Sequence, residues 1–120
     1  MSRLFFAPFP LLFLMVPAAA SAVDFQKDVA PVLEAKCLGC HTANIAKGDV
    51  ILSTVEGMAE YVKAGHAEKS SLFQVVVPDS EGADPEMPKK GEALSNDEVA
   101  NLRAWIEAGA PWPEGLVLKE

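Results

Sequence analysis

Two thiols and an imidazole stand within five residues, in the run Cys37-Leu38-Gly39-Cys40-His41, and the sequence has no other cysteine. Two thiols three positions apart can each form a thioether to one of the two vinyl groups of a single haem. The adjacent histidine then falls beneath the iron and can ligate it. Other chemistry is open to the same residues, but less well supplied. A structural zinc site wants four nitrogen or sulfur ligands, and here it would have to recruit His66 or carboxylates. A thioredoxin-like pair needs a strand–helix context that this sequence lacks. A plain disulfide across so short a loop would staple very little and would give His41 no part. One covalently attached haem c per chain is therefore the expected cofactor, with Cys37 and Cys40 binding it and His41 on the metal.

A second axial ligand would come from a thioether sulfur or another imidazole. Past the leader the candidates are Met58, Met87 and His66. Met58 falls on the apolar face of an expected helix, where core packing accounts for it. His66 follows Gly65 at a helix end and reads as a solvated loop histidine. Met87 sits in an irregular, acidic loop with no local core to fill, stiffened by Pro88, and is the expected metal ligand. The carboxylates of that loop, Asp79, Glu81, Asp84 and Glu86, do not follow the spacing of an EF-hand and read as solvated. Lys89 and Lys90 read as surface charge, with a role in steering a partner or meeting a haem propionate as the sharper alternative.

These residues need scaffolding, and the apolar periodicity supplies it. A first helix is expected over 24–36, from the spacing of Phe25, Val29, Val32 and Leu33. Pro31 either kinks it or falls in the first turn of its regular part. A second is expected over 54–64, with Ser53 and Glu56 as its capping box and Gly65 as its stop. A short turn of helix is expected over 70–75, then a loop over 77–94. The third main helix opens on a second capping box, Ser95 with Glu98, runs through Val99, Leu102, Trp105 and Ile106, and stops at Gly109 and Pro111. No alternating strand pattern stands out. The expected class is all-α, with about three main helices and long loops.

The chain has 120 residues and a formal net charge of −7, which suits one domain. Residues 1–22 read as a signal peptide: Arg3, then a short apolar run, then the small residues Ala18, Ala19, Ala20, Ser21 and Ala22. Cleavage is expected after Ala20 or Ala22, leaving a domain over 23–120. Arg3 is the only charge removed, so the remainder is more acidic by one unit. An exported, periplasmic protein is expected, with no membrane anchor in the mature form. The acidic balance argues against nucleic acid and suggests a redox partner with a basic docking surface. A small domain with no useful disulfide gains most from a large apolar cofactor in its core.

The sequence resembles the class I cytochromes c and, more narrowly, the small cytochrome c-like domains of planctomycetes. Phe25 to Leu33 leads into the haem motif as in that family. Lys47 to Leu52, Lys69 to Phe73 and Met87-Pro88 match its later segments. The most specific stretch runs from Leu94-Ser95 through Asn101 to Pro113. Thr42 stands where glycine is common, and Lys89 where a second proline is common. The resemblance implies a cytochrome c-like fold wrapped around the haem, closed by the crossing of the first and last helices, with His41 and Met87 as axial ligands. Two such ligands would leave no open site for a substrate, so a monomeric electron carrier and no enzyme is expected. Two alternatives stand beside it: a haem enzyme or gas sensor with a labile sixth ligand, and a haem-stabilised interaction domain.

Overall fold

A computed structural model describes residues 23–119. The expected signal peptide and both cleavage sites lie outside the described residues. Four α-helices make up the frame, α1 Ala30–Lys36, α2 Val55–Ala59, α3 Ser71–Val76 and α4 Asn96–Glu107. Two single 3-10 turns, Lys47–Asp49 and Ala67–Lys69, join them, and no strand occurs among the described residues. The all-α expectation holds.

Pro31 shapes the first segment. It falls at the start of α1, where a missing N–H costs nothing because the first turn has no intrahelical acceptor for it. Ahead of it the chain takes one wide π turn over Phe25–Val29, in which the Ala30 N–H reaches back to the Phe25 carbonyl. Asp24 caps that turn, accepting from the Lys27 N–H at 3.2 Å. The expected helix over 24–36 is thus two pieces, with the regular part starting at Ala30.

α2 departs further from expectation. Its cap is Thr54, which accepts from the Gly57 N–H at 3.1 Å, and Ser53 is buried instead with its carbonyl taken by the Leu118 N–H at 2.8 Å. The helix stops at Ala59, well short of Ala64. Tertiary bonds pull the following backbone off the helical path. The Tyr61 carbonyl accepts from the Leu72 N–H at 3.0 Å, and the Lys63 N–H donates to Ser70 Oγ at 2.7 Å. Ser70 is almost fully buried and also donates to the His66 carbonyl at 2.9 Å. Its hydroxyl therefore knots the 61–70 turn before α3 begins.

α4 forms as its sequence dictates. The Glu98 N–H donates to Ser95 Oγ at 3.1 Å, and the Ser95 N–H donates to Glu98 Oε1 at 2.8 Å, a complete capping box. Its buried face, Leu102, Trp105 and Ile106, packs across the Phe25–Val29 turn. The Phe25 ring lies 5.0 Å from Trp105 and 4.7 Å from Trp112, centroid to centroid, with both pairs tilted. Each indole N–H is satisfied, Trp105 by the Pro111 carbonyl at 2.8 Å and Trp112 by the Leu116 carbonyl at 2.9 Å. This is the expected crossing of first and last elements. Such aromatic pairs contribute about 0.5–1.5 kcal/mol each beyond the area they bury.

Gly57 on α2 is required by a close approach. A Cβ there would stand 2.3 Å from the Ile51 carbonyl oxygen. In an open helix Gly→Ala gains up to about 1 kcal/mol of propensity, whereas overpacking of this kind costs about 1–3 kcal/mol. Gly57→Ala is therefore expected to destabilise the domain by about 1–2 kcal/mol, read as a lowered thermal midpoint; a raised midpoint would show that α2 can move off the Ile51 backbone.

Candidate haem-binding site

The five-residue motif leaves the C-terminus of α1 as a tight, bonded turn. The Cys37 and Leu38 N–H groups both donate to the Leu33 carbonyl, at 2.9 and 3.0 Å, and the His41 N–H donates to the Cys37 carbonyl at 3.1 Å. Leu38 is fully buried and anchors the turn in the core. The next segment folds back over it: the Lys47 N–H donates to the Cys40 carbonyl and the Leu52 N–H to the His41 carbonyl, each at 2.8 Å. That return uses left-handed backbone at Ala46, Gly48 and Asp49. Thr42, at the position where glycine is common, is buried, and its carbonyl accepts from the Ala46 N–H at 2.7 Å.

With Leu38 turned inward, Cys37, Cys40 and His41 face a cavity of about 630 Å³. Its size lies within the range of sites that hold a cofactor-sized ligand, about 300–1,000 Å³. Met87 and Pro88 line the same cavity, joined by a cis peptide bond. The Met87 N–H donates to the Val75 carbonyl at 2.8 Å, which ties this loop to the last turn of α3. Met87 is half-buried and also packs against the hydrophobic core, so it has the apolar neighbours that its acidic loop does not suggest. Met58 is buried in the core beside Val62 and Trp105, lining a different cavity, and His66 is exposed. Neither lines the cavity beside the motif.

The electrostatics suit thioethers better than thiolates. Burial pushes the Cys37 thiol up to about 11, so it stays protonated at neutral pH, and holding a metal as thiolate would first require that proton to leave. Cys37 and Cys40 are not joined in a disulfide. Among the described residues no three His, Cys, Asp or Glu side chains converge to hold a bare metal ion, and the loop carboxylates Asp79, Glu81, Asp84 and Glu86 are all exposed. His41 Nδ1 is buried with no hydrogen-bond partner, which leaves Nε2 as the ring nitrogen available to the cavity. Two thiols, one imidazole and a thioether around one large cavity fit a covalently attached haem.

Lys36 supplies a contact that the sequence does not announce. From the last turn of α1 its Nζ donates to the Glu92 and Ala93 carbonyls at 3.2 and 3.4 Å and lies 4.0 Å from Glu98 Oε1. It thereby ties the helix before Cys37 to the end of the Met87 loop and to the capping box of α4.

Residues 37–91 match the family described as Planctomycete cytochrome C. That segment is similar to the planctomycete-type cytochrome c-like domains, as the sequence resemblance indicates, and it contains both the motif and Met87. Over 45 residues the chain is 42% identical to hydrazine synthase subunit alpha of Kuenenia stuttgartiensis, a match covering 35% of this chain and 6% of that protein. The chain thus corresponds to a small fraction of that relative's length. No solved structure matches.

The Lys36 tie is a part-exposed set of bonds, worth about 1 kcal/mol after screening. Lys36→Ala is expected to lower stability by about that amount and to speed proteolysis within 77–94 several-fold. Unchanged cleavage of that loop would show that the Val75 and core contacts hold it unaided.

Proposed function

We propose that the protein is a periplasmic single-electron carrier with one haem c, and that the observation carrying this reading is the convergence of Cys37, Cys40, His41 and Met87 on one cavity. When bound, the haem iron supplies one-electron exchange between its ferrous and ferric forms. Cys37 and Cys40 tether the group through thioethers at the end of α1. His41, through Nε2, and Met87, through its sulfur, would hold the iron. With His41 and Met87 both on the iron, no coordination position would be left for a substrate, and this favours a carrier over an enzyme. A thioether ligand favours the reduced state and so raises the potential. Cys37, Val50 and Met87 line the cavity and also pack against the hydrophobic core, so the core backs the site.

Export is part of the same reading, since c-type attachment in bacteria takes place outside the cytoplasm, and the segment 1–22 has the pattern of a cleaved leader. No helix among the described residues is long and apolar enough to cross a membrane.

Met87→Ala is expected to abolish the weak red charge-transfer band of the ferric protein and to let carbon monoxide bind the ferrous protein rapidly. The parent protein is expected to show the band and to bind carbon monoxide slowly. Rapid binding by the parent would contradict the carrier reading and favour an enzyme or gas sensor.

A further inference from the structure

His41 is held through its backbone. Its N–H donates to the Cys37 carbonyl at 3.1 Å, and its own carbonyl accepts from the Leu52 N–H at 2.8 Å. No protein group holds its ring, since Nδ1 has no hydrogen-bond partner among the described residues. The ring goes where the backbone puts it, so whatever fixes the segment bearing Leu52 helps to fix the ring. That segment is fixed from a distant part of the chain. The Ser53 carbonyl accepts from the Leu118 N–H at 2.8 Å, and the Leu118 side chain is buried in the core. The next residue reaches the other flank of the motif, where the Lys119 N–H donates to Glu34 Oε2 on α1 at 3.3 Å. Ahead of both, the Leu116 carbonyl accepts from the Trp112 indole at 2.9 Å. Between these anchors the segment 116–119 is not closely packed. A groove of about 270 Å³ lies along it, lined also by Gln26, Ala30 and Glu34, and Val117 is exposed.

We infer that the segment 116–119 is a strap that positions His41 for the iron, with Leu118 as the positioning residue. The strap joins α1, just before Cys37, to the chain that follows the motif, and so clamps the motif from both flanks. The inference rests on the haem reading above, because only a ligand histidine has a position that matters to the iron. A ligating histidine ordinarily has its other ring nitrogen fixed by a second group, and that support tunes the ligand's donor strength. Here the backbone route from Leu118 through Ser53 and Leu52 to the His41 carbonyl takes that place. Losing the strap would loosen the imidazole without removing it. A looser imidazole donates less to the ferric iron, so the ferrous form gains.

Leu118→Ala in the exported holoprotein is expected to move the paramagnetically shifted ring resonances of His41 in the ferric form. It is also expected to shift the equilibrium with a one-electron mediator about threefold toward the ferrous form. Leu118→Met nearly conserves the buried volume and is expected to match the parent in both readouts. Ser70→Ala is the control, because it weakens the 61–70 turn and lowers the thermal midpoint but leaves the strap in place. It is expected to move neither readout. Equal effects of Ser70→Ala and Leu118→Ala would mean that Leu118 acts only through general stability, and would overturn the inference. Resonances and equilibrium unmoved in Leu118→Ala would overturn it as well. If Leu118→Ala does not fold, Lys119→Pro removes the N–H that Glu34 accepts, from an exposed position. It is expected to shift both readouts in the same direction, and no shift would overturn the inference. A parent protein without a haem spectrum would remove the haem reading and this inference with it, and is told apart because the parent itself fails.

Discussion

Phe25 is held between two indoles, and the position of everything chemical follows from where that ring sits. It belongs to the wide turn that starts the domain, while Trp105 and Trp112 belong to its end. The contact therefore joins residues about 80 positions apart and fixes the Phe25–Val29 turn, which runs on into α1, against α4. α1 in turn delivers Cys37, because the motif is its C-terminal continuation: the Cys37 and Leu38 N–H groups donate to the Leu33 carbonyl, and the His41 N–H to the Cys37 carbonyl. The loop bearing Met87 is set from the other side, by the Val75 carbonyl and by the Lys36 ammonium. The cavity has its shape because these two supports are referred to one crossing.

Closing a domain this small around a large cavity has a physical cost. Surface-to-volume scaling leaves a short chain little apolar area to bury, and here the partly buried Cys37, Val50 and Met87 are shared between that core and the cavity lining. Covalent attachment suits this situation, since a tethered apolar group becomes a permanent part of the core at no cost in association entropy beyond that of its synthesis. The half-buried Cys37 thiol, pushed up by desolvation, belongs to the same account: a sulfur in an apolar setting is comfortable as a thioether and uncomfortable as a thiolate.

Much of this was legible in the residues. The motif, the Ser95–Glu98 capping box and the apolar face of α4 are local signals, and each needs only its own segment to act. Pro31 was legible as a choice between two placements, and the start of α1 at Ala30 selects the second. α2 was not legible at either end, because its limits are tertiary. Ser53 and Thr54 are equally good caps in isolation, and only the Leu118 bond to the Ser53 carbonyl decides between them. Its early end depends on Ser70, a residue that no pattern distinguishes from any other serine in a loop.

The central claim is that Cys37 and Cys40 hold one haem covalently beside His41. Intact mass of the exported protein, produced with haem-attachment machinery and then denatured, tests it most directly. The mass expected is that of the polypeptide plus one haem, surviving acid–organic extraction, with Cys37→Ser combined with Cys40→Ser reducing it to polypeptide alone. A bare polypeptide mass from the unsubstituted protein, under conditions in which the machinery loads another c-type cytochrome, would contradict the account.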